Sequence, residues 1–261
     1  MNVGKEIRLG KIIKDKRTII VPIDHPVEGY YKELENPINV VQEMINGGAD
    51  AVLLRRGTLL KVHDYIAEKL GVVYRVSGAT GTSGDLGDQR ILSSVIEALR
   101  YGADAVVYTI ILGHPKENDM FQDFSRLVED ADEFGLPVIG EVDIWEKANV
   151  DRFEYLRQGV RALGEEGASI IKSYFPDYQE KDRYKELIKY SLVPVVAAGG
   201  AKMDSPLKVL EFVKAVMDAG AIGTSIGRNI WQYKEPSKMI RAINTIVRKY
   251  ASVEEALSVL S

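Results

Sequence analysis

The sequence predicts a single-domain (β/α)8 TIM barrel of the α/β class over residues 1–261, and three observations carry that expectation. First, four segments resemble one another: Gly48-Ala49-Asp50-Ala51-Val52-Leu53-Leu54, Gly102-Ala103-Asp104-Ala105-Val106-Val107-Tyr108, Gly167-Ala168-Ser169-Ile170-Ile171-Lys172 and Gly220-Ala221-Ile222-Gly223-Thr224-Ser225-Ile226. Each opens on a glycine that closes a helical pattern and then runs into a strand. Second, each interval between them is long enough for two βα units, one unit taking roughly 30 residues. Third, 261 residues with no composition shift or linker suit one α/β barrel. The same alternation also feeds a doubly wound open sheet, which is the structural alternative.

In chain order, the first strand is expected over Thr18–Ile23 and the first helix over Pro37–Ile45, with Asn36 as N-cap and Pro37 in its first turn. The first repeat supplies the second strand, and Gly71 is read as the helix-end glycine before the third, Val72–Val76. A helix over Ile91–Arg100 leads to the second repeat, and Phe121–Phe134 with Gly135 leads to strand five, Pro137–Gly140. Arg152–Glu166 precedes the third repeat, and strand seven is Val193–Ala198. Leu207–Ala219 precedes the fourth repeat, and Pro236–Tyr250 follows it.

Composition narrows the function. Charged residues are 28% of the chain with a net charge of -4 and both signs interspersed, so no basic footprint for nucleic acid is present. No apolar stretch is long enough to cross a bilayer, and Met1 to Lys16 has no signal-peptide core. Cysteine is absent, which removes disulfides, thiolate nucleophiles and sulfur-ligated metals and fits a cytoplasmic protein.

In a barrel, the active site forms at the carboxyl ends of the strands. Those ends offer Asp24 and His25, then Arg55 and Arg56, the Ser77–Gly81 run, Tyr108 with His114 beyond it, Glu141, Asp143 and Trp145, Lys172, Gly199 and Gly200, and Gly227 with Arg228. Lys172 ends an Ile-rich run that reads as a buried strand, where low dielectric frees an amine as a nucleophile. Glycines after strands seven and eight let backbone N–H groups approach a phosphate, with Arg228 as a clamp. The plainer reading makes them tight turns. An amine beside a phosphosugar site suggests Schiff-base chemistry on a carbonyl. Asp24, able to face the same mouth, either orients a substrate hydroxyl or caps its own loop. Arg55 and Arg56 either reach a second phosphate or bridge neighbouring helices. His25, His63 and His114 share no metal-ligand spacing, although His25, His114 and Glu141 form a conceivable divalent site. The Gly78–Gly87 loop has no Walker or dinucleotide spacing and reads as a mobile rim or lid. No cofactor is called for.

The runs Val21-Pro22-Ile23-Asp24-His25, Ile170-Ile171-Lys172-Ser173-Tyr174, Val196-Ala197-Ala198-Gly199-Gly200 and Gly227-Arg228-Asn229-Ile230-Trp231-Gln232 together resemble the archaeal-type class I fructose-bisphosphate aldolase family. That family includes the aminodideoxyheptulosonate synthases and the thiolase acting on phosphorylated autoinducer-2, and the similarity runs from about Arg17 to Ala242. The resemblance implies that Lys172 is the Schiff-base lysine and Asp24 the substrate-orienting carboxylate, and that Gly199, Gly200, Gly227 and Arg228 bind phosphate. His25, Arg56 and Tyr174 complete the expected substrate-binding set. It further implies a phosphorylated sugar substrate and a homo-oligomer, a ring or stacked rings.

Two departures stand out. Pro26 follows His25 where the family has glycine, and Glu141-Val142-Asp143-Ile144-Trp145-Glu146 replaces the aldolases' Tyr-Pro-Arg-Gly stretch, whose tyrosine moves the proton. Asp143, Glu141 or Tyr174 must take that role, or the reaction differs. The expected function is cleavage or formation of a phosphorylated ketose, with fructose 1,6-bisphosphate as first candidate. The alternatives are a thiolase or transaldolase-type step on another phosphorylated carbonyl compound, and a non-catalytic phosphosugar-binding protein.

Overall fold

Short apolar, β-branched runs pair in parallel and close on themselves. The computed structural model describes residues 2–175 and 180–261. Among them the barrel strands are β1 (Thr18–Pro22), β2 (Ala51–Leu54), β3 (Gly71–Arg75), β4 (Ala105–Leu112), β5 (Val138–Ile144), β6 (Ile170–Ser173), β7 (Val195–Ala198) and β8 (Gly223–Ser225). Each pairs with its neighbours in sequence, and β8 returns to β1 with Ile19 beside Thr224. Closure disposes of the open sheet.

Around the barrel run α1 (Val3–Ile12), α2 (Pro37–Gly47), α3 (Arg56–Ile66), α4 (Val95–Arg100), α5 (Glu117–Glu133) and α6 (Arg152–Glu165). They continue with α7 (Lys181–Tyr190), α8 (Pro206–Asp218), α9 (Arg228–Trp231), α10 (Pro236–Lys249) and α11 (Val253–Ser258).

The repeated glycines do what their spacing implies: Gly48, Gly102, Gly167 and Gly220 have φ of 81°, 73°, 97° and 106°, a left-handed turn that only glycine adopts without strain. Gly71 is a correction. Helix α3 ends at Ile66 and Gly71 opens β3. It is small because α1 passes beneath it, and a Cβ there would stand 3.0 Å from the Lys11 carbonyl oxygen. Helix α1, which no sequence signal singled out, closes the amino end of the barrel. Its fully buried Ile12 joins Ile20, Leu53, Val73, Val107 and Ile170 in the interior cluster.

Two aspartates of the repeat clasp that end. Asp50 accepts the Ile19 N–H at 2.8 Å and pairs with Arg248 at 2.6 Å. Asp104 accepts the Val72 N–H at 2.9 Å and pairs with Lys11 at 2.9 Å.

The expected helix over 91–100 is shorter. Arg90–Ile91 pairs antiparallel with Ser77–Gly78, and α4 begins only after Ser94 caps it. Strands β4 and β5 are longer than expected, pairing as far as Leu112 and Ile144. Glu141 and Asp143 therefore lie within a strand, two residues apart on one face.

That period of two builds the site. On five consecutive strands an apolar inward residue is followed two positions later by a polar one: Leu53 by Arg55, Val73 by Arg75, Val107 by Thr109, Ile139 by Glu141 and Ile170 by Lys172. The interior changes from hydrocarbon to charge at one level.

Candidate active site

At that level four charges interlock. The guanidinium of Arg75 donates from Nε to Asp24 Oδ2 at 2.7 Å, from Nη1 to Thr109 Oγ1 at 2.6 Å and from Nη2 to Glu141 Oε2 at 2.5 Å. Thr109 Oγ1 donates to the same Glu141 oxygen at 2.9 Å. The other oxygen, Oε1, lies 2.6 Å from Lys172 Nζ. Strand register enforces this, since Glu141 sits beside Thr109 on one side and Lys172 on the other. Asp24, Arg75, Glu141 and Lys172 are all buried. Two cations and two anions offset one another, which is the condition for keeping ionised groups out of water.

The electrostatics separate the carboxyl groups. Burial alone would raise Glu141, but Arg75 and Lys172 outweigh it and hold it down at about 2. Asp24 is likewise lowered, against its burial, by Arg75, His25, Lys172 and Arg55. Asp143 differs: burial pushes its carboxyl up to about 6, despite the Ile144 N–H it accepts at 2.7 Å, with the Glu141 charge adding to the rise. Two carboxyl groups two residues apart are thus shifted in opposite directions, one held as an anion and the other raised toward neutral pH. The Tyr174 hydroxyl is raised by burial and by the Asp143 and Glu141 charges, so it stays protonated.

A cavity of about 460 Å³ opens above these groups. Lys172, Asp24, Glu141 and Asp143 line it, together with Tyr174 and His25. Gly199, Gly200, Gly227 and Arg228 form its β7–β8 side. Of the residues expected to act on or bind substrate, all but Arg56 line the cavity; of the other strand-end candidates, Tyr108 and His114 do not. Arg56 lies outside, in α3, half-exposed and paired with Glu97 at 2.6 Å. Arg55 takes the position in the mouth, its Nε donating to the Asp24 carbonyl at 3.4 Å. The alternation along the strand explains the difference, because residues 53 and 55 share the inward face.

The glycines have packing reasons of their own. A Cβ on Gly227 would stand 2.7 Å from the Pro22 carbonyl oxygen, and one on Gly199 would stand 2.9 Å from Ile226. The case for an anion there rests instead on buried polar atoms that have no hydrogen-bond partner among the described residues, Arg228 Nε and Ser225 Oγ. Asn229 shapes the loop, donating to the Gly199 and Ala201 carbonyls and accepting the Met203 N–H at 2.7 Å. His25 Nδ1 is also without a hydrogen-bond partner among the described residues, 3.6 Å from Asp24. Burial lowers this imidazole to about 4, with Lys172, Arg228 and Arg75 contributing, so it is neutral at pH 7.

The rim expected at Gly78–Gly87 folds over the mouth. His114 Nδ1 accepts the Lys116 N–H at 3.0 Å, which leaves Nε2 to donate to Asp85 of the rim at 3.2 Å. His114 is therefore occupied. Among the described residues no group of three His, Cys, Asp or Glu converges as a metal site, so His25, His114 and Glu141 do not form the conceivable divalent centre.

Sequence reasoning missed Arg75 and Thr109. The signal for Arg75 was present: it interrupts the apolar run Val72-Val73-Tyr74-Arg75-Val76 at an inward position, as Lys172 does in its own strand.

Residues 18–233 match the family model described as DeoC/LacD family aldolase, and the chain belongs to that family. An uncharacterized aldolase of Saccharolobus solfataricus is 29% identical over 99% of both chains. A 2-amino-3,7-dideoxy-D-threo-hept-6-ulosonate synthase of Halobacterium salinarum is 31% identical over 98% of this chain and 96% of its own. Among solved structures, a Schiff base forming fructose-1,6-bisphosphate aldolase superposes with a TM-score of 0.85 at 27% identity, covering 94% of this chain and 99% of its own. The chain is an aldolase-type lyase by family.

Proposed function

We propose that the chain is a class I aldolase in which Lys172 forms a Schiff base with a phosphorylated ketose, fructose 1,6-bisphosphate being the first candidate. The observation that carries this reading is the buried Lys172 amine, held 2.6 Å from Glu141 on the floor of the cavity. The unpartnered Arg228 Nε and Ser225 Oγ support a phosphate at the β7–β8 side.

In the cleavage direction, Lys172 Nζ gives up a proton to solvent in the cavity and adds to the ketone carbon. The carbinolamine hydroxyl takes a proton back and leaves as water, giving an iminium whose positive charge faces the fixed Glu141 anion. Asp143, as carboxylate, takes the proton of the C4 hydroxyl. The C3–C4 electron pair moves to the iminium, and the aldehyde departs. The enamine then regains a proton at C3 from Asp143, and water hydrolyses the imine to free the ketone product and Lys172. Asp24 and neutral His25 face the same cavity and orient substrate hydroxyls.

A second reading, a synthase or thiolase-type step on another phosphorylated carbonyl compound, is favoured by one specific feature. Strand β5 carries Asp143 and no tyrosine, with Trp145 directly after it, and the relative from Halobacterium salinarum bears a synthase name.

Borohydride trapping tests the proposal. The protein is incubated with fructose 1,6-bisphosphate or glycerone phosphate, reduced, and mapped by mass spectrometry. A glycerone-phosphate mass on Lys172 is expected. No adduct with either compound, while a control aldolase is trapped, would sink the phosphoketose reading. An adduct only with other phosphorylated carbonyl compounds would select the second.

A further inference from the structure

Arg75 joins the segment after β1 to strands β4 and β5, and nothing in the catalytic sequence above uses it. Its three nitrogens are each committed, to Asp24 after β1, Thr109 on β4 and Glu141 on β5. Only 7% of its surface is exposed. Arg55 and Arg228 present the opposite case. All three line the cavity, but Arg55 and Arg228 have no ion pair among the described residues, so a substrate anion has two guanidinium groups to meet that are not already held by carboxylates.

We propose that Arg75 is a positioning residue: its guanidinium holds Asp24 and Glu141 as oriented anions around Lys172 and binds no part of the substrate. The inference rests on the Schiff-base reading given above. Its logic is charge balance through the reaction. When Nζ gives up its proton to attack, Glu141 loses one of its two cationic partners. A second, permanent cation on the far oxygen keeps the carboxylate ionised and in place until the iminium restores the charge. Thr109 fixes the same oxygen from the side, so Glu141 cannot turn away. A lysine at this position would supply the charge but not the planar fork that spans three partners.

Two variants test this, with glycerone phosphate as probe and borohydride quenching at timed intervals. The concentration dependence of adduct formation on Lys172 gives a maximal rate and a half-saturating concentration. For Arg75→Lys the maximal rate is expected to fall on the order of 100-fold, as for a misplaced reacting group. The half-saturating concentration is expected to stay within about threefold, as for an interaction that does not contribute to ground-state binding. For Arg75→Ala, added guanidinium is expected to recover about tenfold or more of the lost rate, refilling the cavity left by the side chain.

A maximal rate within about threefold of wild type in Arg75→Lys overturns the proposal. So does a raised half-saturating concentration at unchanged maximal rate, which would make Arg75 a substrate ligand. Failure of guanidinium to rescue Arg75→Ala that retains the wild-type circular dichroism spectrum also counts against it. If wild type itself forms no adduct, the Schiff-base reading falls and this inference with it. If wild type is trapped and Arg75 proves dispensable, only the inference falls.

Discussion

The two ends of one barrel use buried Asp–Arg pairs for different purposes. At the amino end, Asp50 meets the Ile19 N–H and Arg248. At the carboxyl end, Asp24 meets Arg75, with His25, Lys172 and Arg55 nearby. Both aspartates are almost fully buried, yet their carboxyl groups shift in opposite directions. Burial dominates at Asp50 and leaves it raised in spite of the Ile19 N–H and Arg248, whereas the surrounding cations lower Asp24. The partner set decides this. A backbone N–H and one partly buried arginine tie two elements together at the base, where nothing needs to move. At the mouth, Asp24, Arg75, Glu141 and Lys172 satisfy one another, and in the proposed mechanism the amine among them must change its charge. A buried ion pair alone does not identify an active site; one that includes a nucleophile and opens on a cavity does.

The contrast can be broken or sharpened in order of expected effect. Replacing Lys172 by Met is expected to lower turnover on the order of 10⁴-fold or more, since removing a nucleophile costs at least that in comparable enzymes. Its thermal midpoint should remain measurable by calorimetry, and full turnover in this variant would refute the mechanism. Next comes Asp143→Asn, where a loss of about 10²- to 10³-fold in kcat is expected for a lost acid–base group, with borohydride trapping on Lys172 preserved. In wild type the base must be ionised for cleavage, so kcat should fall as pH drops through about 6, the value to which burial raises Asp143. A pH–rate profile should show that acid limb, and the variant should lack it.

At the amino end, Asp50→Ala leaves the Ile19 N–H and Arg248 without their acceptor. Denaturant melts should report a loss of about 3 kcal/mol, while kcat stays within about twofold. A large fall in kcat there would erase the distinction between the two ends. The smallest pair sharpens it within one dipeptide. Arg55→Met should raise KM about tenfold by removing a charged donor from the mouth. Arg56→Met removes only an exposed pair with Glu97 and should change stability by no more than about 0.5 kcal/mol, leaving KM unchanged.

Much of the candidate site's lining was legible because it follows local rules. Lys172, Asp24 and the β7–β8 glycines could be found by reading the carboxyl ends of strands in order. Arg56 was chosen over Arg55 because the end of β2 was not converted into an inward and an outward face. Arg75 was passed over although its inward position was implied by the same alternation. The lid contact between Asp85 and His114 joins residues 29 apart in sequence, and no periodicity marks it.

By itself the sequence determined the barrel. Glycine caps, apolar runs and helical periods are local, and the few ways of packing eight βα units leave little choice of architecture. It also determined which strand ends carry ionisable groups. Only the tertiary structure decided what those groups are. Glu141 and Asp143 are the same kind of carboxyl group two residues apart, and their acidities are separated to about 2 and about 6 by neighbours from other strands. Acidity in a buried site depends on distance to charges and on loss of water, and those distances exist only once the barrel has closed.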